Sequence, residues 1–390
     1  MKILFSIFAA FCCACATCLA DGSKDLGAKG IAEFQKGDYD QAIESFSYAI
    51  QLNTNYLGAY YYRGLSYMEA TRYDNAIADF SRALALNTNY NDAYYFRGLC
   101  YMNEGQYDRS ITDFTRSLSL STNVAMLMLR GYVYSLMTND NRSIEDYNKA
   151  VQLAPTNPRG YIGRARVFVL EGSFGLAILD CETALSLNPD LPGAYEELGE
   201  AYRAEGDNKE ALADFDRAIQ LDPNDPVAYY ARGTALADAR KFTNAIRDLN
   251  IFLAVYPRNA SAYSYRGWCR NETGDYRGAM EDYQKSIRMD PASPWGYNNF
   301  AWLMAVCPDA KFRDGAKAIE YATKACQLSQ WKEASCIDTL AAAYAENGNF
   351  KEAVKWEEEA LGGLSNDDLS EGKKALGLYQ KGLPYHETPK

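Results

Sequence analysis

Six arginines and six aspartates recur in this chain at a fixed separation of sixteen residues: Arg63 with Asp79, Arg97 with Asp113, Arg130 with Asp146, Arg164 with Asp180, Arg232 with Asp248 and Arg266 with Asp282. A guanidinium presents a planar fork of donors that matches a carboxylate, so such a series is either a ladder of ion pairs or a row of anion-binding arginines. Where Lys29, Phe300 or Leu340 replaces the arginine, the aspartate is missing too, and Leu198 with Asp214 is the exception. This joint loss favours an architectural ladder, whose half-buried pairs set register more than they add stability.

Other reactive side chains offer little for catalysis. His386 is the only histidine and stands close to the chain end, in a stretch expected to be mobile, so no imidazole is available as a general base in a packed pocket. Glu196 and Glu200 share a helix face at i, i+4, a spacing more typical of a solvated surface than of an acid–base couple. There is no phosphate-binding glycine loop and no nucleophile elbow. Of ten cysteines, Cys12, Cys13, Cys15 and Cys18 fall in the first twenty residues. Cys100, Cys181 and Cys269 sit at repeat-core positions, while Cys307, Cys326 and Cys336 cluster near the C-terminus; Cys326 and Cys336 could meet as a disulfide across a turn. No Cys-x-x-Cys remains beyond the first twenty residues, so zinc has no support. The expectation is a non-enzymatic chain with no catalytic residues, no cofactor and no metal.

The elements that carry these pairs follow from a second periodicity. Gly30, Gly64, Gly98, Gly131, Ala165, Gly199, Gly233, Gly267 and Ala301 are spaced by 34 residues at every step but one, which is 33. In the second copy Tyr60, Gly64 and Tyr67 fall at i, i+4, i+7, as do Ala76, Phe80 and Ala83, so each triplet lies on one face of a helix. Turn residues such as Gly37-Asp38 and Gly206-Asp207 separate the two helices. The small anchor lets them approach, and the aromatic sixteen residues later fills the space.

This order of large, small, aromatic, alanine, aromatic, alanine and proline resembles the tetratricopeptide repeat, carried nearly complete by Tyr195, Leu198, Gly199, Tyr202, Ala211, Phe215, Ala218 and Pro223. The resemblance covers about residues 24 to 361. It implies an all-α, right-handed superhelical solenoid of about ten helix pairs with a C-terminal capping helix. Pro155, Pro189, Pro223, Pro257 and Pro291 close five copies, whereas Thr54, Thr88 and Thr122 close the first three, which predicts less rigid early joints. The ninth copy is irregular, with Cys307 to Gly315 inserted before Ala318, and a tenth resumes at Ala341. Asn298 to Trp302, the Cys-Pro-Asp loop and Thr339 to Tyr344 look like a terminal module of exported or surface-associated bacterial tetratricopeptide proteins. The organisation expected is a leader over 1–20, regular repeats over 21–291, an irregular pair over 292–363, and a capping helix with tail over 364–390.

Met1-Lys2, an apolar run from Ile3 to Phe11 and the small residues Cys18 and Ala20 read as a cleaved secretory signal, placing the mature chain outside the cytoplasm, periplasmic or secreted. A lipid anchor is the less favoured reading, since no cysteine there has a leucine three residues before it. No later segment is apolar enough to span a membrane. A formal net charge of −11, without a Lys or Arg run, argues against nucleic acid, whose binding needs cations to neutralise phosphate.

Function in such a stack lies on the inner face lined by first helices. Its early stations read as apolar: Ile31 and Phe34, then Tyr61, Leu65 and Met68, then Tyr95, Leu99 and Met102, then Met128, Tyr132 and Ser135. It turns polar at Glu196, Glu200 and Arg203, and ends in Trp268, Asn271, Trp295, Asn298 and Trp302. These side chains either pack against neighbouring copies or form a peptide groove with two stations, suited to an extended peptide or amphipathic helix. The early stripe is expected as the primary surface and the tryptophans as the second. Chaperone-binding members of the resembled family hold a terminal carboxylate with lysine and asparagines, and the early copies lack those residues. The expected function is a non-catalytic protein-interaction scaffold with a protein or peptide partner. The main alternative is a structural envelope or surface component that uses its ends, with an enzyme the weakest; the oligomeric state is left open.

Overall fold

A computed structural model describes residues 22–388; the expected leader lies outside the described residues. Among these there are 21 α-helices, one short 3-10 turn at Ala310–Phe312 and no strand. The chain falls into two compact units, Met1–Pro189 and Asp190–Lys390. Each unit is a stack of five helix pairs, and the second ends with an additional helix, Asn366–Tyr379.

The core of each pair follows from the anchor and the aromatic. A Cβ on Gly64 would stand 2.8 Å from Phe80 Cε1, and one on Gly199 would stand 2.7 Å from Phe215 Cε1. Both rings are fully buried, as are Phe46 and Phe114 at the same position. Burial of such a ring contributes on the order of 2–3 kcal/mol, so a missing methyl on the first helix admits a large apolar gain from the second. In the fifth copy Ala165 and Cys181 hold the corresponding positions, both fully buried.

Outside the ninth pair, with its longer connection, the turn within each pair places one residue in the left-handed region. Gly37 (φ 82°) and Gly206 (φ 91°) supply it without strain, but Thr71 (φ 57°), Thr138 (φ 53°) and Arg240 (φ 58°) occupy the same register. For an L residue this region costs roughly 1–2 kcal/mol. Three copies therefore carry a strained joint that the packed helices hold in place. Between copies a tyrosine hydroxyl ties the first helix to the preceding closure: Tyr60 to the Thr54 carbonyl, Tyr94 to Thr88, Tyr161 to Pro155, Tyr229 to Pro223 and Tyr263 to Pro257. Threonine and proline closures accept the same tether.

Near the C-terminus the structure corrects two expectations. Cys326 and Cys336 are free and buried; the Cys326 thiol donates to the Cys336 carbonyl at 3.2 Å, and burial pushes both thiols up, to about 12 and about 11. A hydrogen bond to the main chain stands where a disulfide was one open possibility. The segment holding His386 also does not hang free. After Gly382 (φ 71°) the chain turns back, Tyr385 packs against the C-terminal core and on Trp302, and His386 Nε2 lies 2.6 Å from Glu346 Oε2. Glu346 also accepts from Arg313 Nε at 2.9 Å, so one carboxylate joins the inserted loop to the tail.

A candidate interaction groove

The arginine series is a set of three-point clamps. Arg97 Nε and Nη2 donate to the two oxygens of Asp113, each at 2.7 Å, and Nη1 donates to Ser81 Oγ at 2.9 Å on the second helix of the preceding copy. The same arrangement joins Arg63 to Asp79 and Ser47, Arg130 to Asp146 and Thr115, and Arg164 to Asp180 and Asn148. In the second unit Arg232 holds Asp248 and Asp216, and Arg266 holds Asp282 and Asn250. Three of the five N–H donors of each guanidinium are thus engaged by the stack itself, as an architectural role requires.

Burial raises the Asp79 carboxyl above its ordinary value even though Arg63 sits on it. On the Asp79 side desolvation outweighs the partner's attraction, whereas on the Arg63 side desolvation is more than offset by the bonds to Asp79 and the guanidinium pKa rises. The two-pronged geometry, rather than either shift, makes the pair a device for register. Asp214, where Leu198 replaces the arginine, is pushed up to about 6 by burial and by the nearby Glu210 carboxylate. Leu198 lies in the first helix of the second unit, Pro192–Glu205.

The early apolar stripe is placed largely within the packing between copies. Leu65 is buried in the core around Phe80, with Tyr61 and Met68 packed against it. The Tyr61 ring meets Tyr62, Phe80, Tyr90 and Phe96 at centroid distances of 5.0–6.1 Å, and desolvation raises its phenol strongly. Tyr95 wedges against Phe96 and Phe114. Leu99, Met102, Met128 and Tyr132 are half-buried. Around Tyr61 this face serves the neighbouring repeat, and the sequence by itself does not distinguish that from an open groove.

The tryptophan station has a different setting. Within the second unit the first helices Pro226–Asp238, Ala260–Glu272 and Pro294–Val306 touch one another in succession, which puts them on the inner side of the stack. Tyr230, Tyr265, Trp268 and Trp295 from these helices line an open cavity of about 540 Å³, together with Asp238, Ser264 and Asn299. Trp295 is 48% exposed, unusual for so large an apolar side chain. Trp268 is held edge-on by Phe242, and Asn299 Nδ2 donates to Ser264 Oγ at 3.2 Å. Arg203 closes one end, donating to Glu200 and, at 3.0 Å, to Asp238; burial opposes its charge, but the two carboxylates outweigh that and raise its pKa. Asn271 is buried.

Trp302 faces a second cavity, of about 560 Å³, that shares Trp268 and Asn299 with the first. The tail forms one of its walls. Trp302 Nε1 donates to Glu387 Oε1 at 2.9 Å, and the Glu387 amide donates to the Val306 carbonyl at 2.9 Å. Sequence reasoning missed this arrangement; a tyrosine and the lone histidine following a helix-stopping Gly-x-Pro were the only signals.

Models of the tetratricopeptide repeat match residues 28–89, 61–125, 124–157, 230–294 and 334–362, and one described as TPR repeat matches 199–239. The chain belongs to the tetratricopeptide-repeat family. Repeats of this family build protein-interaction scaffolds and are typically non-catalytic, which gives this tetratricopeptide protein its function class. No curated protein sequence matches it. Among solved structures it is similar to YrrB, titled a TPR protein with an unusual peptide-binding site, at 21% identity and a TM-score of 0.40 over 49% of this chain and 98% of that one. It is also similar to a tetratricopeptide repeat protein from Parabacteroides merdae, at 18% identity and 0.47 over 69% and 94%. Yeast Tom70 matches at 17% identity and 0.43 over 92% and 89%. No helix among the described residues is long and apolar enough to cross a membrane.

Proposed function

We propose that this tetratricopeptide protein is a non-catalytic scaffold that binds an extended peptide on the inner face of its second unit. The observation that carries this reading is the open cavity between Trp268 and Trp295, which two indoles and two tyrosines line. Large aromatic surfaces left in contact with water gain from a partner's apolar side chain, and they hold it at small entropic cost. Ser264 and Asn299 add hydroxyl and amide groups for the backbone of an extended segment. The early stripe from Tyr61 to Tyr132 takes a secondary place, because most of it is spent on packing between copies.

Selection of displayed random peptides on the immobilised chain tests the reading. Trp268→Ala and Trp295→Ala should each weaken the selected peptides by about 2 kcal/mol, the scale of a binding hot spot, with melting temperature unchanged for Trp295→Ala. Peptides that bind both variants as tightly as the wild type would move the site elsewhere. Failure to select any peptide would favour a structural component that uses its ends.

The same proposal places the protein outside the cytoplasm. Its support is the short apolar leader with small residues before Asp21. N-terminal sequencing of the exported protein should begin at Asp21, and a lipid-modified cysteine there would overturn cleavage at that point.

A further inference from the structure

We propose that the cavity beside Trp302 recognises a cationic side chain, arginine or lysine, of a bound peptide. This rests on the groove reading above and names the charge its partner must carry. Five carboxyl side chains line the cavity, Glu272, Asp338, Asp368, Glu371 and Glu387, against one guanidinium, Arg240. Arg240 is 3.6 Å from Glu272 and lies at the edge, with most of its side chain in solvent. Glu387 is brought there by the docked tail, where Trp302 Nε1 donates to its Oε1.

A second, independent observation points to a donor-bearing ligand. Asn298 lines the same cavity and is 7% exposed, and its Oδ1 has no hydrogen-bond donor. A buried acceptor left unpaired is unfavourable, and a group rich in N–H donors relieves it once the Asn298 amide, whose oxygen is shielded from solvent, turns toward the cavity. Guanidinium and ammonium groups carry only donors, whereas a carboxylate carries only acceptors. The faces of Trp268 and Trp302 supply what a cation with an aliphatic stem also needs, a ring surface for the stem and a π cloud for the charge. A partner's terminal carboxylate, by contrast, would meet five like charges. The preference of this cavity is therefore opposite in sign to that of a carboxylate clamp.

The experiment uses the full mature chain and three labelled peptides identical but for two positions, which hold arginine, its neutral isostere citrulline, or glutamate. Each carries the same aromatic residue for the Trp268 and Trp295 cavity. Binding is followed by fluorescence polarisation at two salt concentrations. The arginine peptide should bind at least about tenfold tighter than the citrulline peptide and lose that advantage at high salt, because the contrast is electrostatic. Glu371→Gln, on an exposed position, and Asp338→Asn should each reduce the advantage several-fold while far-UV circular dichroism stays unchanged; Asn298→Leu should reduce it as well.

Equal binding of the arginine and citrulline peptides, with Trp295→Ala weakening both, would overturn the cation site and leave the groove reading standing. No binding of any of the three would fail both. Spermidine competing as effectively as the arginine peptide would overturn the peptide as source of the charge and make a free polyamine the ligand.

Discussion

Trp302 Nε1 donates to Glu387 Oε1 at 2.9 Å, joining the first helix of the ninth copy to a residue 85 positions further on. The bond brings the C-terminal tail onto the inner face of the stack, and three further contacts hold it there: Tyr385 on Trp302, His386 against Glu346, and the Glu387 amide on Val306. A terminal segment that makes four such contacts behaves as part of the second unit.

The tail should therefore be detectable as structure. Tyr385→Ala with Glu387→Ala is expected to lower the stability of the second unit by about 2 kcal/mol, the sum of a half-buried ring and two hydrogen bonds of ordinary strength. Hydrogen exchange should report a protected Glu387 amide in the wild type and a fast one in the variant. Equal exchange in the two would show that the tail is not held.

The arginine clamps predict a non-additive cycle. Arg97→Leu strands Asp113, which is 3% exposed, and should cost about 3 kcal/mol. Adding Asp113→Leu removes the stranded charge and should restore part of that loss, so the two changes together cost less than their sum in urea unfolding. Additive costs would mean that the pair does not interact. Arg97→Lys should rescue poorly, because an ammonium cannot bond both Asp113 oxygens and Ser81 in one plane.

Glu357 predicts a pH dependence. It is fully buried beside Asp338, and desolvation, then the Asp338 charge, raises its pKa far above the usual carboxylate range, to about 10. The folded chain thus keeps a proton that the unfolded chain releases near pH 4.3. Between that value and the folded pKa the native state binds more protons, so this group's stabilising effect is full below the window and is lost as pH rises through it. Glu357→Gln, neutral at every pH, should melt close to wild type at pH 5 and about 2 °C or more above it at pH 9, given the usual sensitivity of a unit this size. A constant difference across the range would mean that Glu357 is not held neutral.

Most of the architecture could be read from residue spacing because it rests on short-range rules repeated many times. A missing Cβ at Gly64 and a ring at Phe80 lie within one helix pair, and 34 residues later Gly98 and Phe114 restate the instruction. The same holds for Arg97 and Asp113, whose sixteen-residue separation is short enough for one turn to bring them together. What spacing could not assign was the third bond of each clamp, to Ser81 in the preceding copy, because that depends on how neighbouring pairs stack.

The groove was decided by tertiary structure for the same reason. Tyr61, three residues before Gly64, and Trp295, six before Ala301, both lie on first helices, yet one is surrounded by four rings and the other stands 48% exposed. An apolar residue on a helix states that it gains from burial, but not whether the neighbouring repeat or a partner supplies the cover. The docked tail is the extreme case: residues 385 to 387 carry no periodicity, and their place follows only once Trp302, Val306 and Glu346 have been brought to one surface by folding. Local repetition therefore determined the repeat and its core, while contacts between elements far apart in the chain determined which side chains remain available to bind.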